Sequence, residues 1–508
     1  MTKQIRKELI TVAILFAVLI GVSFIPAKGI LRFIIHLPVY ALAGLDIFNR
    51  LIRSLSKKRI FTEYMMLTVA SVLAMVAGRY AESITALLLF RLYGVFCDFV
   101  KYEAEKNIGR QQNSDRRNIE RYITRFSKIL APIVFAVALF VIAIGISVSP
   151  SNWRDDIIKG AIIIAVAYPS AVAVSVPFAF FVGIGLAHKS GINVKSSYSV
   201  ERLSKCSTVV FDKAGTLTEE GIHAHAEAQT VNSENLLTLA STVLAGSQTP
   251  EAIAVRGAAK GVMYDIPVSN AKDVEGLGTV ASMSGKIVAV GNSELMAKLG
   301  ITVSKANSDT SKLLHLCLGQ TYLGYIEISD TIREDADRSL YRLKNVGVKS
   351  VVMLTRDGVG EATRVADTLH GIDEFYHSLN GEGMAKVIEE IFEESAENET
   401  LAFVTSNTEN ASVLASADIS ITLNKIDSED TDIVLEDSSI DKIPLAIGIA
   451  QKVMLNVRLN IGISLAVKLI VAILGIIGII GLNTAVFIDL TIACLAAVNA
   501  IRPLFRGQ

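Results

Sequence analysis

Two patterns of apolar and polar positions divide this chain. Long, nearly uncharged apolar runs occupy its ends, near residues 8–26, 30–48, 62–78, 83–100, 130–148, 158–186, 458–480 and 484–501. Each is long enough to cross a bilayer as a helix and lacks the polar stripe of a surface helix. Between about 195 and 440 the pattern changes to short β-branched runs set between stretches of helical periodicity. There it predicts a strand ending at Asp212, a strand over Tyr322–Ile328, a helix over Asp335–Val346 and a strand over Ser350–Leu354. Helices over Gly360–Leu369 and Lys386–Glu394 and strands over Leu401–Val404 and Asp418–Ile421 complete the run. Strands alternating with helices predict a parallel, doubly wound sheet.

The expected organisation follows. Residues 1–190 hold six membrane helices, with a short helical hairpin near 101–128 that turns at Gln112–Ser114. Residues 191–220 and 319–440 form the doubly wound domain, 221–318 an inserted α/β module, and 441–508 two more membrane helices. Lys and Arg flank the runs unevenly. Lys3, Arg6 and Lys7 precede the first, Arg50, Arg53, Lys57, Lys58 and Arg59 follow the second, and Lys101, Lys106, Arg110, Arg116, Arg117 and Arg121 separate the fourth from the fifth. Such asymmetry orients membrane helices. Eight spans with both termini and the large polar region in the cytoplasm satisfy it, placing a multi-pass protein in the cell membrane.

Composition adds little beyond this. The chain of 508 residues is 51% hydrophobic, with mean hydropathy +0.46, which makes the lipid bilayer its first partner. A net charge of −1 argues against nucleic acid. Four scattered cysteines without a close pair argue against a disulfide framework. The first run lacks a small-residue cleavage site and reads as a retained helix, with only a handful of residues before it.

The chemistry concentrates at Val209-Val210-Phe211-Asp212-Lys213-Ala214-Gly215-Thr216-Leu217-Thr218. A buried strand that ends on a carboxylate, followed by Lys and a Gly-opened turn, presents a nucleophile where α/β sheets bind ligands. His223 and His225 read as an alternating pair on a solvent face.

The segment resembles the Asp-Lys-Thr-Gly-Thr-Leu-Thr phosphorylation motif of P-type ATPases, with Ala214 in place of the first Thr. Further landmarks arrive in the order of the family's heavy-metal, zinc/cadmium/lead branch. They are Tyr168-Pro169-Ser170 and Pro177, Gly276-Leu277-Gly278 with Gly291-Asn292, Asp330-Thr331-Ile332-Arg333, Thr355-Arg356-Asp357, Lys468, Asp489 and Asn499. The resemblance implies a haloacid-dehalogenase-like phosphorylation domain with an inserted nucleotide-binding domain, ATP and Mg²⁺ as cofactors, and a zinc-like transported ion. It implies Asp212, Lys213, Thr355 and Asp357 as catalytic residues, and Ser247, Pro250, Gly276 and Gly278 beside nucleotide. Tyr168, Pro169, Ser170, Lys468 and Asp489 would form the transport site. Pro169 breaks the helix there, and ionisable groups within spans mark function or an ion pair that ties two helices.

The departures are equally ordered. No Thr-Gly-Glu-Ser occurs, and only Lys101–Lys128 lies where the family carries its actuator domain. Thr405-Ser406-Asn407-Thr408-Glu409-Asn410 replaces Gly-Asp-Gly-x-Asn-Asp, so Ser406 stands for the Mg²⁺-binding Asp and only Glu409 offers a substitute carboxylate. Gly383 replaces an active-site Lys, Thr249 an adenine-binding His, and Tyr168 and Ser170 two thiolates. Three readings follow. One is a pseudoenzyme regulating or scaffolding an unidentified protein partner in the membrane. The others are an ATP-driven metal exporter phosphorylated at Asp212, and a passive membrane ion-binding protein or channel.

Overall fold

The computed structural model describes residues 3–57, 60–108, 116–168, 170–219, 223–260, 262, 267–274, 276–303, 312–396, 398–407, 411–424 and 431–504. Pro169, Glu409 and the expected turn at Gln112–Ser114 lie outside the described residues. The chain divides into two compact units. One comprises residues 1–190, 194–204 and 448–508; the other comprises 191–193 and 205–447.

The first unit is helical. It begins with α1 (Lys3–Ser23), α2 (Ile30–Ser56), α3 (Glu63–Val76), α4 (Tyr80–Ile108), α5 (Arg116–Val148), α6 (Trp153–Ala167), α7 (Ser170–Lys189) and the short α8 (Ser197–Leu203). The single run expected over 158–186 is therefore two helices. Tyr168, the last residue of the break before Pro169, is extended at φ −72°, ψ 134°. A residue preceding proline is driven out of the α region by the ring, which ends α6 there.

The second unit holds two sheets. Its seven-stranded sheet has the order β1-β13-β12-β11-β2-β9-β10, from β1 (Ile192–Val194), β2 (Cys206–Asp212), β9 (Ser350–Leu354), β10 (Glu374–Tyr376), β11 (Thr400–Thr405), β12 (Ile419–Thr422) and β13 (Ile433–Leu435). The pairings from β13 to β10 are parallel. The helices of this part are α12 (Ala336–Asn345), α13 (Val359–Thr368), α14 (Gly381–Glu394) and α15 (Ala411–Ser416). Strand β2 is central, and Cys206 to Phe211 are buried, as a two-sided strand requires.

The second sheet is antiparallel, of order β3-β8-β7-β6-β5-β4, from β3 (His223–Ala228), β4 (Val268–Val274), β5 (Gly278–Met283), β6 (Lys286–Gly291), β7 (Lys312–Leu318) and β8 (Thr321–Ser329). Helices α9 (Ser233–Val243) and α10 (Pro250–Ala258) pack on one face through Leu236, Leu239, Val243 and Val255. On the other, α11 (Ser293–Lys298) packs through Leu295 and Met296. This corrects one assignment. The strand expected over Tyr322–Ile328 in the doubly wound sheet is β8, and it pairs antiparallel with β3 and β7. The inserted module therefore runs through Ser329 rather than 318. The cause is local: only Gly319 and Gln320 separate β7 from β8, a hairpin connection, with Gly319 at φ +60°.

The chain returns to the first unit through α16 (Lys442–Ile477) and ends with α17 (Leu482–Ile501). Small residues line the helix contacts, among them the fully buried Ala43, Ala74, Ala138, Ala161, Ala485 and Ala493. Gly160 and Gly475 let backbones approach Ile142 and Ile162, because a Cβ on either glycine would lie 2.3 and 2.6 Å from those side chains. Association in lipid rests on such close packing. Among the described residues, five helical segments are long and apolar enough to cross a membrane: Ile30–Ser56, Tyr80–Lys106, Pro150–Lys189, Lys442–Ile477 and Leu482–Leu504. Glu63–Val76 and Pro132–Val148 are shorter apolar helices.

Candidate functional site

Asp212 sits at the carboxyl end of β2, between β9 and β11, opposite Leu354. The chain then leaves the sheet in a tight turn in which Gly215 takes φ +69°, a conformation that favours glycine. The turn is fastened from outside. Thr216 accepts the Ser406 backbone N–H at 2.9 Å, and Arg333 donates to the Thr216 and Gly215 carbonyls at 2.9 and 2.7 Å. Thr405, the last residue of β11, donates its hydroxyl to Asp212 Oδ2 at 3.0 Å. Burial pushes the Asp212 carboxyl up to about 6, against the Thr405 hydrogen bond and the Arg356 charge.

Lys213 points the other way and is 1% exposed. Its ammonium meets Asp330 at 2.9 Å and Glu361 at 3.5 Å and forms a close ion pair with Asp357. Burial would lower its pKa, but Asp330 and Asp357 outweigh that and raise it. Thr355 donates to Asp357 Oδ2 at 3.0 Å and accepts the Asp357 N–H at 3.1 Å. Arg364 grips Glu361 with two nitrogens at 2.7 Å. The structure thus brings Asp212, Lys213, Thr355 and Asp357 to one end of the sheet. It adds Thr405 and Glu361, which sequence reasoning missed. Their only signals were position: a hydroxyl ending β11, and an acid in the first turn of α13.

The Mg²⁺ implied by the resemblance does not fit the described residues. They supply one carboxylate, Asp212, and the Ala214 carbonyl. That carbonyl already accepts the Ser406 hydroxyl at 3.3 Å. Mg²⁺ leans on carboxylates to offset its reluctant dehydration, and a neutral hydroxyl is a poor substitute. Among the described residues no group of three or more His, Cys, Asp or Glu could hold a metal ion. Gly383 lies in the first turn of α14, its N–H given to the capping Asn380 at 2.7 Å.

In the inserted module the expected nucleotide residues occupy structural positions. Gly278 and Gly291 face each other across β5 and β6. A Cβ on Gly278 would lie 2.2 Å from the Val290 carbonyl, and one on Gly291 2.2 Å from that of Leu277. Gly276 takes φ +70° in the turn before β5. Ser247 is buried, and its carbonyl accepts Arg256 at 2.6 Å. Thr249 caps α10 by accepting the Ala252 N–H at 3.3 Å, and Pro250 follows in the first turn. His225 is exposed and lies 3.6 Å from Glu227.

The membrane candidates also converge. Lys468 of α16 and Asp489 of α17 form a close ion pair, both buried. Asp489 accepts the Ser170 hydroxyl at 2.7 Å, and Lys468 donates to the Val166 carbonyl at 3.0 Å. That carbonyl is freed where α6 ends, as broken helices expose backbone acceptors. Tyr93 donates to the Ser170 carbonyl at 3.2 Å. Tyr168 enters through its backbone, accepting the Ser170 N–H at 2.8 Å.

Comparison with known proteins bears on the family and the fold. Residues 206–418 match the haloacid dehalogenase-like hydrolase family. The chain is 33% identical over 402 residues to the zinc-transporting ATPase of Synechocystis sp., covering 77% of this chain and 55% of that protein. It is 33% identical over 398 residues to the cadmium, zinc and cobalt-transporting ATPase of Bacillus subtilis, with 77% and 56% covered. To the zinc/cadmium/lead-transporting P-type ATPase of Escherichia coli it is 30% identical over 400 residues, with 77% and 54% covered. The chain spans about half the length of these curated relatives. A crystal structure of a zinc-transporting PIB-type ATPase shares its fold, with TM-score 0.73 at 21% identity over 99% of this chain and 100% of that one.

Proposed function

Because the chain belongs to the zinc/cadmium/lead branch of the P-type ATPases, we propose that it is a membrane-embedded member with an arrested transport cycle, serving a regulatory or scaffolding role on a membrane partner. One observation carries this reading: the Ser406 hydroxyl, where the family has its Mg²⁺ carboxylate, is hydrogen-bonded to the Ala214 carbonyl, a second family Mg²⁺ ligand. Two further losses support it. Gly383 provides no cation. The chain passes from α4, ending at Ile108, to α5, starting at Arg116, with only residues 109–115 between them, where relatives carry an actuator. Removing one preorganised electrostatic group costs roughly 10²–10³ in rate. Two such losses leave little turnover even without additivity. On this reading α6 and α7 are halves of one broken span, giving eight spans with both termini cytoplasmic.

An ATP-driven zinc- or cadmium-type exporter is the second reading. It is favoured by the assembly of Asp212, Lys213, Thr355 and Asp357 and by the Lys468–Asp489–Ser170 cluster. γ-Labelled ATP with Mg²⁺ and zinc or cadmium, presented to the full chain in lipid nanodiscs, separates the two. The arrested cycle predicts no label above the Asp212→Asn background and no metal-stimulated phosphate release. Ser406→Asp alone should recover Mg²⁺ binding without turnover. Metal-dependent turnover abolished by Asp212→Asn would establish the exporter instead.

A further inference from the structure

Helix α16 carries a polar stripe of which only the last member, Lys468, enters either reading. Asn456, Asn460, Ser464 and Lys468 recur every fourth residue, so they lie on one face. Asn460, Ser464 and Lys468 are 4%, 0% and 8% exposed, whereas Leu459 and Ile463 beside them are 50% and 55% exposed. The stripe therefore faces protein while the apolar positions face lipid.

Its two ends are satisfied by the protein. At one end three asparagines clasp α16 to α17. Asn456 donates to the Asn499 carbonyl at 3.0 Å, Asn460 to Asn456 at 2.9 Å and to the Ala496 carbonyl at 3.3 Å, and Asn499 to Asn460 at 2.9 Å. At the other end stand Lys468, Asp489 and Ser170. Between them, one turn from each, the fully buried Ser464 Oγ has no hydrogen-bond partner among the described residues. An unpaired buried hydroxyl costs about 1–3 kcal/mol unless something satisfies it. The α16–α17 register, 460 beside 496 and 468 beside 489, puts Ser464 level with Ile492 and Ala493.

We infer that water is held at Ser464 and joins the asparagine clasp to the Lys468–Asp489 pair, so that this face of α16 is a hydrated proton-exchange lane. The chemistry of the stripe selects that ligand. Neutral amides and a hydroxyl offer donors and acceptors to water, and water bridging buried polar groups is an ordinary part of protein structure. No carboxylate, thiol or imidazole occurs at 456, 460 or 464 to hold a divalent or soft metal.

Hydrogen–deuterium exchange of a cysteine thiol, read as its infrared S–H stretch in the full chain in nanodiscs, tests this directly. Each variant is measured as a difference spectrum against the parent chain, which cancels the four native thiols. Thiol exchange runs through the thiolate and so needs water. Ser464→Cys should exchange at least about tenfold faster than Ile463→Cys, whose thiol sits in hydrocarbon. Asn460→Cys against Leu459→Cys repeats the comparison one turn away, should the first variant fail to fold. Exchange at a stripe position no faster than at its lipid-facing neighbour overturns the lane. This outcome is independent of whether the protein turns over ATP.

Discussion

Among the described residues each unit buries one lysine against carboxylate, and the two clusters differ in how the charge is closed. Lys213 has a side chain 1% exposed, but its partners Asp330, Asp357 and Glu361 are 21%, 44% and 15% exposed. One ammonium thus sits beneath three carboxylates that solvent reaches, of which Glu361 is also held by Arg364. Lys468 and Asp489 are 10% and 9% exposed, one against one, with a carbonyl and a hydroxyl filling their remaining hydrogen bonds. The first cluster stays open to solvent at its carboxylates. The second draws its direct partners from the protein, as a buried ion pair must to offset its desolvation.

Breaking the closed pair should have the largest effect. Lys468→Met leaves Asp489 buried with only a hydroxyl for a partner and should destabilise the first unit by about 3–5 kcal/mol, as removal of one member of a buried pair does. Lys468→Met with Asp489→Leu should recover most of that loss. Thermal unfolding of the three chains in one detergent checks this. A double variant as unstable as the single would mean that the pair is not closed as described.

Asp212 supplies the next effect, of opposite sign. Its carboxyl is pushed from 3.8 up to about 6 chiefly by burial. A raised folded-state pKa means that the folded protein holds the proton more tightly than the unfolded chain. Its contribution to stability is full below about pH 4 and is lost as pH rises through about 6. At pH 7.5 the ionised form should cost up to roughly 3 kcal/mol, from about two pKa units at 1.36 kcal/mol each. Asp212→Asn should therefore stabilise the protein at pH 7.5 and match the parent near pH 4. Equal unfolding temperatures at both pH values would remove burial as the dominant influence on this group.

The open cluster should be the more forgiving of the two. Lys213→Met leaves Asp357 and Asp330 without their cation while Glu361 keeps Arg364, and solvent can hydrate the two. The loss should be near 2 kcal/mol, the scale of charged hydrogen bonds. It should shrink in high salt, because screened surface carboxylates repel less. The Lys468→Met loss should be salt-independent. Matching salt responses at the two lysines would erase the contrast between the clusters.

What sequence could and could not show follows from how local each signal is. Strand β2 and its terminal Asp212 were legible because a β-branched run meeting Asp-Lys-x-Gly is a local pattern. Strands β9, β11 and β12 fall within a residue or two of expectation for the same reason. The assignment of β8 to the wrong sheet shows the limit, since its apolar alternation suits either sheet and only pairing with β3 and β7 decides. The Gly319-Gln320 hairpin was the available clue. Glu361 and Thr405 were illegible because each matters only through a partner distant in sequence, Lys213 or Asp212. The Ser406–Ala214 hydrogen bond was half legible: the loss of the carboxylate is in the sequence, but not that the hydroxyl would turn onto the carbonyl.

The smallest predicted effect tests whether the inserted module has traded a ligand contact for a structural one. Thr249 stands where the family resemblance implies an adenine-contacting histidine, and here its hydroxyl is the N-cap of α10, 3.3 Å from the Ala252 N–H, with Pro250 next. A helix of nine residues that begins at Pro250 depends on such a cap, because its first amide groups have no partner within the helix. Thr249→Ala should destabilise the module by about 1 kcal/mol, and Thr249→Ser should recover most of it. Thr249→His is the sharper variant. Histidine is a poor cap, so it should lose about as much stability as alanine, and with Ser406 unchanged it should restore at most the adenine side of ATP binding. Calorimetry of ATP with the Thr249→His chain, with and without Mg²⁺, alongside its unfolding temperature, reads both quantities. Unchanged stability in Thr249→Ala would show that the hydroxyl is not capping the helix, and position 249 would return to being a nucleotide contact that had simply lost its ring.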